Sequence, residues 1–467
     1  MAADLMPYPA VKHSGADWLG DVPEHWELRR TKTLLKQRTE KGFPNEPLLA
    51  ATQTKGVVRK EEYENRTVLA LKDLHLLKLV RVGDFVISLR SFQGGIEYAR
   101  ERGIISPAYT VLFPVRPDDH RYLAHLFKSA PYVENLSFFV TGIRQGQNID
   151  YARLARSRLP LPPSVERRAI ACFLDHAKAH IQRYVRAKER LIELLEEQRE
   201  IGIQQAVTGQ IDVRTGQPYP AYRDSGVEWL GNVPEHWRVG RNRWLFQERT
   251  ETGFGSLPVL EVSLRDGVRI RDMKGGQRKQ RIVDRNQYKR AKKDDIAYNT
   301  MRMWQGAVGV VPEDGLVSPA YVVMAPVERM ESRYYGYLFR TEIYKNAVKT
   351  FSRGIVSDRD RLYWDGFKRI ASFVPPLEEQ SAIVDFLDHA GRRIEAQVSA
   401  TKRQIDLLRE YRTRLIADVV TGKLDVREAA ARLPEVDSIG GGGRVDATQP
   451  ESKAHATDYG VAGEAGA

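Results

Sequence analysis

The sequence predicts an α+β protein in which two globular domains are joined by two long antiparallel, coiled-coil-like helices. The two halves are expected to be related by pseudo-two-fold symmetry. Three observations support this prediction: an internal duplication, a change inside each copy from short mixed elements to a long helical pattern, and the order in which domains and helices alternate along the chain.

The duplication is visible in four pairs of segments. SGADWLGDVPEHW from Ser14 returns as SGVEWLGNVPEHW from Ser225, and ISPAYTVLFPV (105–115) returns as VSPAYVVMAPV (317–327). PPSVERRAI (162–170) returns as PPLEEQSAI (375–383), and VTGQIDVR (207–214) returns as VTGKLDVR (420–427). A repeat of more than 200 residues indicates a duplicated domain and not a solenoid, whose repeats are far shorter.

Each copy begins with short elements and ends with a helix. In the first copy, LVRVGDFVISLR (79–90) and GIISPAYTVLFPV (103–115) are β-like, and a short helix is predicted around 121–129. Prolines at 160, 162 and 163 then interrupt the chain, and a long helical pattern begins near Ser164. The second copy does the same after Pro375 and Pro376.

The helical stretches carry apolar residues at an average spacing of 3.5, which is typical of a coiled-coil seam. Lys188, Arg199, Thr401 and Arg412 interrupt this seam. The residues predicted to pack the spacer helices are Ile181, Val185, Ile192, Leu195, Ile394, Val398, Ile405, Leu408 and Leu415. At ~1.5 Å per residue, a helix over 164–207 would be roughly 65 Å long.

The order of the segments predicts the arrangement of the helices. A compact domain returns the chain near its point of entry, so the two helices should be antiparallel with one globular domain at each end. The predicted boundaries are 1–163 for the first globular domain, 164–209 for the first helix, 210–376 for the second domain, 377–423 for the second helix, and 424–467 for an acidic, disordered tail.

Charge and composition restrict the class of protein. The chain has 467 residues and a formal net charge of +12, and its acidic tail makes the remainder more basic still. No apolar run approaches the roughly 18 to 20 residues that span a bilayer, and the N-terminus lacks a signal-peptide pattern. The single cysteine, Cys172, excludes an intramolecular disulfide. We therefore expect a soluble cytoplasmic protein whose leading partner is double-stranded DNA.

Two similar basic domains at a fixed separation suit the recognition of two sites along a duplex. A duplicated scaffold whose domains bind other proteins is the alternative from the residues alone. Base readout needs Arg, Lys, Asn or Gln side chains that reach base edges. Three loop-like segments supply such residues: 89–94 with its aligned copy 301–306, 141–148 with its aligned copy 352–359, and the basic stretch 274–293, which we expect to contact phosphates.

The candidate DNA-binding residues in the first two segments are Arg90, Gln93, Arg144, Gln145, Gln147, Asn148, Arg302, Trp304, Gln305, Arg353, Ser357 and Arg359. The first segment keeps its Arg and Gln in both copies, whereas the second keeps a glycine but has different polar groups in the two copies. Two different half-sites would require that difference.

No catalytic, cofactor or metal site is predicted. The sequence has no Walker-type loop, no Gly-rich nucleotide fingerprint after a strand and no HExxH motif. His120 and His125 suggest a metal, but their aligned positions are Ser332 and Tyr337. His25 and His236 each lie between Glu and Trp in a Pro-led turn, so packing or capping is favoured over chemistry.

The chain resembles the specificity (S) subunits of Type I restriction-modification systems. The resemblance is carried by SGADWLGDVPEHW and SGVEWLGNVPEHW, by the LPLPP and VPP segments that lead into the long helices, and by AVTGQID and VVTGKLD at their ends. Arg167 and Arg168, where the second copy has Gln380 and Ser381, depart from the family's usual acid–Gln pair.

The resemblance implies two target-recognition domains, each of which reads one half of an asymmetric, bipartite DNA target, and helices that set the gap. It further implies no catalytic activity in this chain. The implied partners are two methyltransferase (M) subunits, which use S-adenosylmethionine to methylate adenine, and restriction (R) subunits, with which the complex cleaves DNA using ATP. The alternative is a single-chain nuclease or methyltransferase, which the absence of an NPPY-type motif disfavours.

Overall fold

The computed structural model of the chain describes residues 5–53, 55–62, 73–142, 148–271, 284–353 and 360–434. It consists of two compact units. Unit 1 comprises the described residues up to Ile181 together with those from Glu410 onward, and unit 2 comprises Gln182–Arg409. Each long helix therefore begins in one unit and ends in the other.

In the first copy, all elements except the first long helix are short. They are β1 (Val11–His13), β2 (Asp21–Pro23), β3 (Glu27–Arg30), α1 (Thr31–Leu34), β4 (Leu35–Arg38), β5 (Leu49–Thr52), β6 (Gly56–Arg59), β7 (Lys78–Val80), β8 (Phe85–Ile87), α2 (Ser91–Gly94), β9 (Glu97–Tyr98), β10 (Gly103–Ile105), β11 (Thr110–Pro114), α3 (His120–Leu126), α4 (Ala130–Leu136), β12 (Val140–Thr141), β13 (Asn148–Ile149), α5 (Tyr151–Leu154), β14 (Arg158–Leu161) and α6 (Ser164–Val207).

The second copy repeats this order with few changes. Its elements are β15 (Tyr222–Asp224), β16 (Asn232–Pro234), β17 (Arg238–Arg241), α7 (Asn242–Leu245), β18 (Phe246–Glu248), β19 (Leu260–Ser263), β20 (Gly267–Ile270), β21 (Lys289–Ala291), β22 (Ile296–Asn299), β23 (Val308–Val310), β24 (Gly315–Val317), β25 (Tyr321–Pro326), α8 (Ser332–Leu338), α9 (Glu342–Phe351), α10 (Trp364–Phe367), β26 (Ala371–Val374), α11 (Leu377–Val420) and α12 (Arg427–Ala431).

An antiparallel four-stranded sheet lies at the centre of each globular domain. Its strand order is β4-β11-β8-β9 in unit 1 and β18-β25-β22-β23 in unit 2. Successive residues of a strand point to opposite faces, and in unit 1 Leu112 enters the large core whereas Val111 enters a second, smaller one. Unit 2 shows the same division with Met324 and Val323. Both faces of the sheet are therefore covered, which explains why these strands are apolar without alternation.

The β14 strand leads directly into the first long helix. It pairs with β3 in antiparallel register, Leu161 opposite Glu27, and Pro162 and Pro163 then end the strand because proline lacks a backbone donor. In unit 2, β26 pairs with β17 and precedes α11 in the same way. The start of each long helix is thus fixed to its own domain by a two-stranded ribbon.

The two long helices are antiparallel, as predicted. The large core of unit 1 contains Phe173 from the start of α6 and Val419 from the end of α11. The large core of unit 2 contains Val384 from the start of α11 and Val207 from the end of α6. The predicted α+β class with two long helices is confirmed, since in each unit the start of one helix lies beside the end of the other.

The predicted seam residues of these helices are all at least half-buried. Within unit 2, Val398 and Ile405 are buried, and in unit 1 so are Ile181 and Leu415. Half-buried are Val185, Ile192, Leu195, Ile394 and Leu408. The buried hydroxyl of Thr401 donates to the carbonyl of Gln397 at 2.8 Å, which satisfies one of the polar groups that interrupt the seam.

The region expected to be a disordered tail begins with ordered residues. Val426 and Ala430 are buried in the large core of unit 1, and α12 lies between 427 and 431. The expectation is therefore wrong for 424–434, because these apolar side chains cover the same core as the end of α11. Residues 435–467, including the glycine run at 440–443, lie outside the described residues. No helix in the described part of the chain has an apolar stretch of bilayer-spanning length.

Candidate nucleic-acid interface

A carboxylate in the first turn of α6 anchors the domain of unit 1 to this helix. Glu166 accepts hydrogen bonds from the Tyr8 hydroxyl at 2.5 Å and from Trp26 Nε1 at 2.8 Å, and its second oxygen lies 2.8 Å from His25 Nε2. Glu166 is buried and His25 is half-exposed. Burial and the neighbouring carboxylate raise the pKa of Tyr8 well above its usual value, so its hydroxyl keeps the proton that it donates.

The same cluster recurs in unit 2 on the first turn of α11. Glu379 accepts from Trp237 Nε1 at 2.8 Å and from the Tyr219 hydroxyl at 3.0 Å, and its other oxygen lies 2.8 Å from His236 Nε2. Burial alone would raise the pKa of Glu379, but these donors outweigh it and hold the pKa below its usual value. Both histidines thus have the packing role that the sequence favoured, His25 against Glu166 and His236 against Glu379.

Each domain also receives the end of a long helix, through a glycine. Gly422 follows α11 with φ of +77°, and a Cβ there would lie 2.2 Å from Pro23 Cδ and 3.2 Å from Trp26. Gly209 follows α6 with φ of +73°, against Pro234 and Trp237. Only glycine fits such a left-handed position at so close an approach. Within each unit, the repeated VPEHW segment therefore packs against the repeated VTG segment.

Arg167 and Gln380, where the two copies differ, have equivalent roles. Arg167 donates through Nη1 to the carbonyl of Pro162, and Gln380 donates through Nε2 to that of Pro375 at 2.9 Å. The extra charge of Arg167 is balanced by Asp119, which is buried and 2.8 Å away. The difference between the two copies at this position is therefore compensated locally.

The first pair of predicted reading loops is exposed in both units. Arg90 lies just before α2 and Gln93 lies on it, shortly after β8. Arg302 and Gln305 lie in a short turn after β22. All four side chains are exposed. Trp304 differs, because its ring packs against the large core of unit 2 and its Nε1 donates to the Met301 carbonyl at 3.1 Å.

The second pair of loops is described only at its base. Asn148 pairs with Thr141 in the β12–β13 ribbon, and its side-chain oxygen accepts from the Ile149 amide at 2.8 Å. Arg353 forms an isolated antiparallel bridge with Arg361 through backbone hydrogen bonds of 3.0 Å, and its side chain is exposed. Of the predicted DNA-binding residues, Arg144, Gln145, Gln147, Ser357 and Arg359 lie outside the described residues.

The basic stretch 274–293 is described only from 284. There Lys289 donates to the Tyr321 carbonyl at 2.9 Å, and Arg290 lies over the Phe254 ring and pairs with Asp314 at 3.0 Å. These two basic residues therefore have partners inside the domain. Residues 274–283 lie outside the described residues.

An open cleft of about 460 Å³ lies beside the turn that follows β22 in unit 2. Met301 and Tyr321 line it together with Tyr363 and Trp364, and Tyr363 is half-exposed to solvent. Aromatic and apolar side chains of this kind can contact bases and sugars beside polar readout. Within the described residues, no group of three or more His, Cys, Asp or Glu side chains is placed to hold a metal ion.

Two residues behind the first predicted reading loop of unit 1, Lys128 and Glu97, had no signal in the sequence. Lys128 in unit 1 donates to Glu97 at 2.6 Å and to the Gly94 carbonyl at 2.7 Å, so it secures the loop that carries Arg90 and Gln93. These partners are about 30 residues apart in sequence and the ion pair is absent from the second copy, where the aligned residues are Gly309 and Arg340. An alignment of the two copies would have shown the substitution but not the contact.

Known structures share this architecture. An HsdS subunit from Thermoanaerobacter tengcongensis superposes with a TM-score of 0.51 and 14% identity, over 86% of this chain and 98% of that one. A chain from the structural study of complex assembly and conformational transition of the type I R-M system gives a TM-score of 0.57 and 17% identity, over 86% of this chain and 99% of that one. No family model and no curated protein matches the sequence.

At these identities the likeness establishes the fold. The chain has the duplicated two-domain, two-helix fold of the S subunits of Type I restriction-modification systems. The resemblance that the sequence motifs suggested is therefore confirmed at the level of architecture, over most of the chain's length.

Proposed function

We propose that this chain is the DNA-recognition subunit of a Type I restriction-modification complex. Each globular domain reads one half of an asymmetric, bipartite DNA target, the two long helices set the gap between the halves, and the helices dock two methyltransferase subunits. Restriction subunits complete the complex. The chain itself performs no chemistry and needs no cofactor.

One observation carries this proposal: the two domains share a framework but differ at their exposed tips. The carboxylate cluster on the helix start and the glycine contact at the helix end are the same in both units. At the tip of the aligned ribbon in each domain, unit 1 exposes the amide of Gln53 between β5 and β6, whereas unit 2 exposes the aliphatic side chain of Leu264 between β19 and β20. A shared framework with different polar tips suits two different half-sites, because sequence is read by side chains in the groove while other contacts set the register.

The decisive experiment maps methylated adenines in host DNA by single-molecule sequencing, with and without this gene. We expect deletion to remove methylation at one gapped, two-part motif. In the same assay, Arg302→Ala is expected to relax one half-site and Arg90→Ala the other, because each arginine lies in a different domain. An unchanged methylome in a host that expresses the methyltransferase subunits would contradict the proposal, as would methyl transfer or cleavage by the purified chain alone.

The amide-rich loop 141–148 provides a further comparison in the same assay. Gln145→Ala combined with Gln147→Ala is expected to change the preference at one half-site only. Equal loss at both half-sites would show that the loop has a structural role.

A further inference from the structure

Gln53 lies beside the loop of unit 1 that carries Arg90 and Gln93. It follows β5 at the tip of the β5–β6 ribbon, and its side chain is exposed. Its Nε2 atom lies 3.4 Å from the Arg90 carbonyl and 3.4 Å from Oε1 of Gln93. The side chain rests on Gly94, where a Cβ would lie 2.9 Å from its Cγ. The glycine therefore allows the two amides to meet.

The backbone beneath these amides is held firmly. The Lys128 ammonium donates to the carbonyls of Gly94 at 2.7 Å and Gln53 at 3.3 Å, and to Glu97 at 2.6 Å. Glu97 is buried, so one charged group ties both loops to the interior. By contrast, the 3.4 Å contacts of the Gln53 amide are longer than the usual 2.9–3.0 Å. The two amides can therefore exchange their contact with each other for contacts with a ligand. Lys128 meanwhile holds the backbone beneath them in place.

The two amides leave a defined pair of groups for a ligand. When Nε2 of Gln53 donates to Oε1 of Gln93, the unused groups are an acceptor, Oε1 of Gln53, and a donor, Nε2 of Gln93. In the major groove adenine presents one acceptor, N7, next to one donor, the N6 amino group, whereas guanine presents two acceptors. Adenine alone among the purines matches an acceptor beside a donor.

We propose, resting on the function proposed above, that Gln53 and Gln93 together read one adenine in the half-site bound by unit 1. The second copy places a different chemistry at this position. The residue aligned with Gln53 is Leu264, 41% exposed, at the tip of the β19–β20 ribbon. Arg340, aligned with Lys128, donates to the Leu264 carbonyl and to the Arg265 carbonyl at 2.7 Å. The two domains therefore hold the same ribbon tip by the same basic position and present an amide in one and an apolar group in the other.

The test uses the full chain with the subunits that co-purify with it, and a library of duplexes with randomised bases. DNA bound by wild type, Gln53→Leu and the matched control Leu264→Gln is sequenced. We expect Gln53→Leu to lower the preference for adenine at one position by about fivefold or more. The other half-site should keep its profile. Leu264→Gln should alter the opposite half-site only.

The outcomes separate this inference from the proposed function. If wild type selects a gapped motif but Gln53→Leu keeps the full wild-type profile, the adenine-reading role is wrong and the proposed function stands. Equal loss at every position of that half-site would also overturn it, because the residue would then be structural. Gln93→Leu removes the other amide of the pair, so it must affect the same base as Gln53→Leu. If wild type selects no gapped motif, the proposed function itself fails.

Discussion

The indole of Trp26 lies against Gly422, so close that a Cβ on this glycine would be 3.2 Å from the ring. The two residues are almost 400 positions apart, one near the start of the chain and the other at the end of the second long helix. In unit 2 the equivalent contact joins Gly209 to Trp237, which are close in sequence. The same contact thus joins residues that are close in sequence in unit 2 and residues that are far apart in sequence in unit 1.

Gly422→Ala is expected to destabilise unit 1. A left-handed backbone costs alanine at least about 1 kcal/mol, and the new methyl group would also collide with Pro23. Thermal unfolding of the full chain should show a lower midpoint. Gly15→Ala is the matched control, since Gly15 has φ of +68° with nothing within 4 Å of its Cβ position. Equal losses in the two variants would mean that the contact with Pro23 and Trp26 contributes nothing.

Glu379→Ala should cost unit 2 about 2–4 kcal/mol, because the buried Trp237 and Tyr219 donors lose their acceptor. The neighbouring Glu378 is exposed, so Glu378→Ala should change the free energy of unfolding by no more than about 0.5 kcal/mol. Chemical denaturation of both variants at neutral pH measures the difference.

The pH dependence of that difference has a definite sign. The pKa of Glu379 is lowered in the folded state, so the unfolded chain binds its proton more readily. The stabilisation is complete above the unfolded value of about 4.5 and is lost as pH falls through the folded pKa. The gap between wild type and Glu379→Ala should therefore shrink below about pH 4.5; a gap that stays constant to pH 3 would contradict the proposed role of the ionised carboxylate.

The pKa of Glu97 is shifted upward, in the opposite direction to the pKa of Glu379. Burial raises the pKa of Glu97 to about 7, although the Lys128 ammonium opposes this. Between about pH 4.5 and 7 the folded state therefore binds more protons than the unfolded state, and unit 1 loses stability as pH rises through this window, by about 3 kcal/mol in all. Unfolding measured from pH 5 to 8 should show this slope in wild type and a flatter one in Glu97→Gln. Glu134→Gln, changed at an exposed position, should keep the wild-type slope.

Much of the architecture could be predicted from the sequence, because it follows from repetition and from local signals. The prolines at 162–163 and 375–376 predicted where the long helices begin, and the 3.5-residue spacing predicted residues such as Ile405 that are buried. The interface was less predictable. The exposure of Arg90 follows from its loop, but its contact with Gln53 depends on how the β5–β6 ribbon meets the turn after β8. Trp304 was predicted to contact DNA because it lies in a polar loop. Its ring instead packs against the large core of unit 2, which the sequence pattern did not indicate.

Residues on two different faces of α11 allow helix packing and partner docking to be tested separately. Ile405 is 5% exposed, whereas Leu407, two residues later on a different face, is 64% exposed. Ile405→Ala should lower the free energy of unfolding by about 2–4 kcal/mol, because it leaves a cavity in the packed side. Leu407→Ala should change it by no more than about 0.5 kcal/mol. If the helices dock the methyltransferase subunits as proposed, Leu407→Ala should nonetheless reduce their recovery with the tagged chain.

The two measurements distinguish the outcomes, because stability and recovery are recorded on the same preparations. Loss of recovery without loss of stability would place Leu407 in the docking surface, since an exposed leucine that stabilises nothing within the chain has only an external partner to contact. Unchanged recovery with Leu407→Ala would exclude this part of α11 from docking. Reduced recovery with Ile405→Ala alone would indicate that the partners need a correctly packed helix pair but do not contact this exposed face.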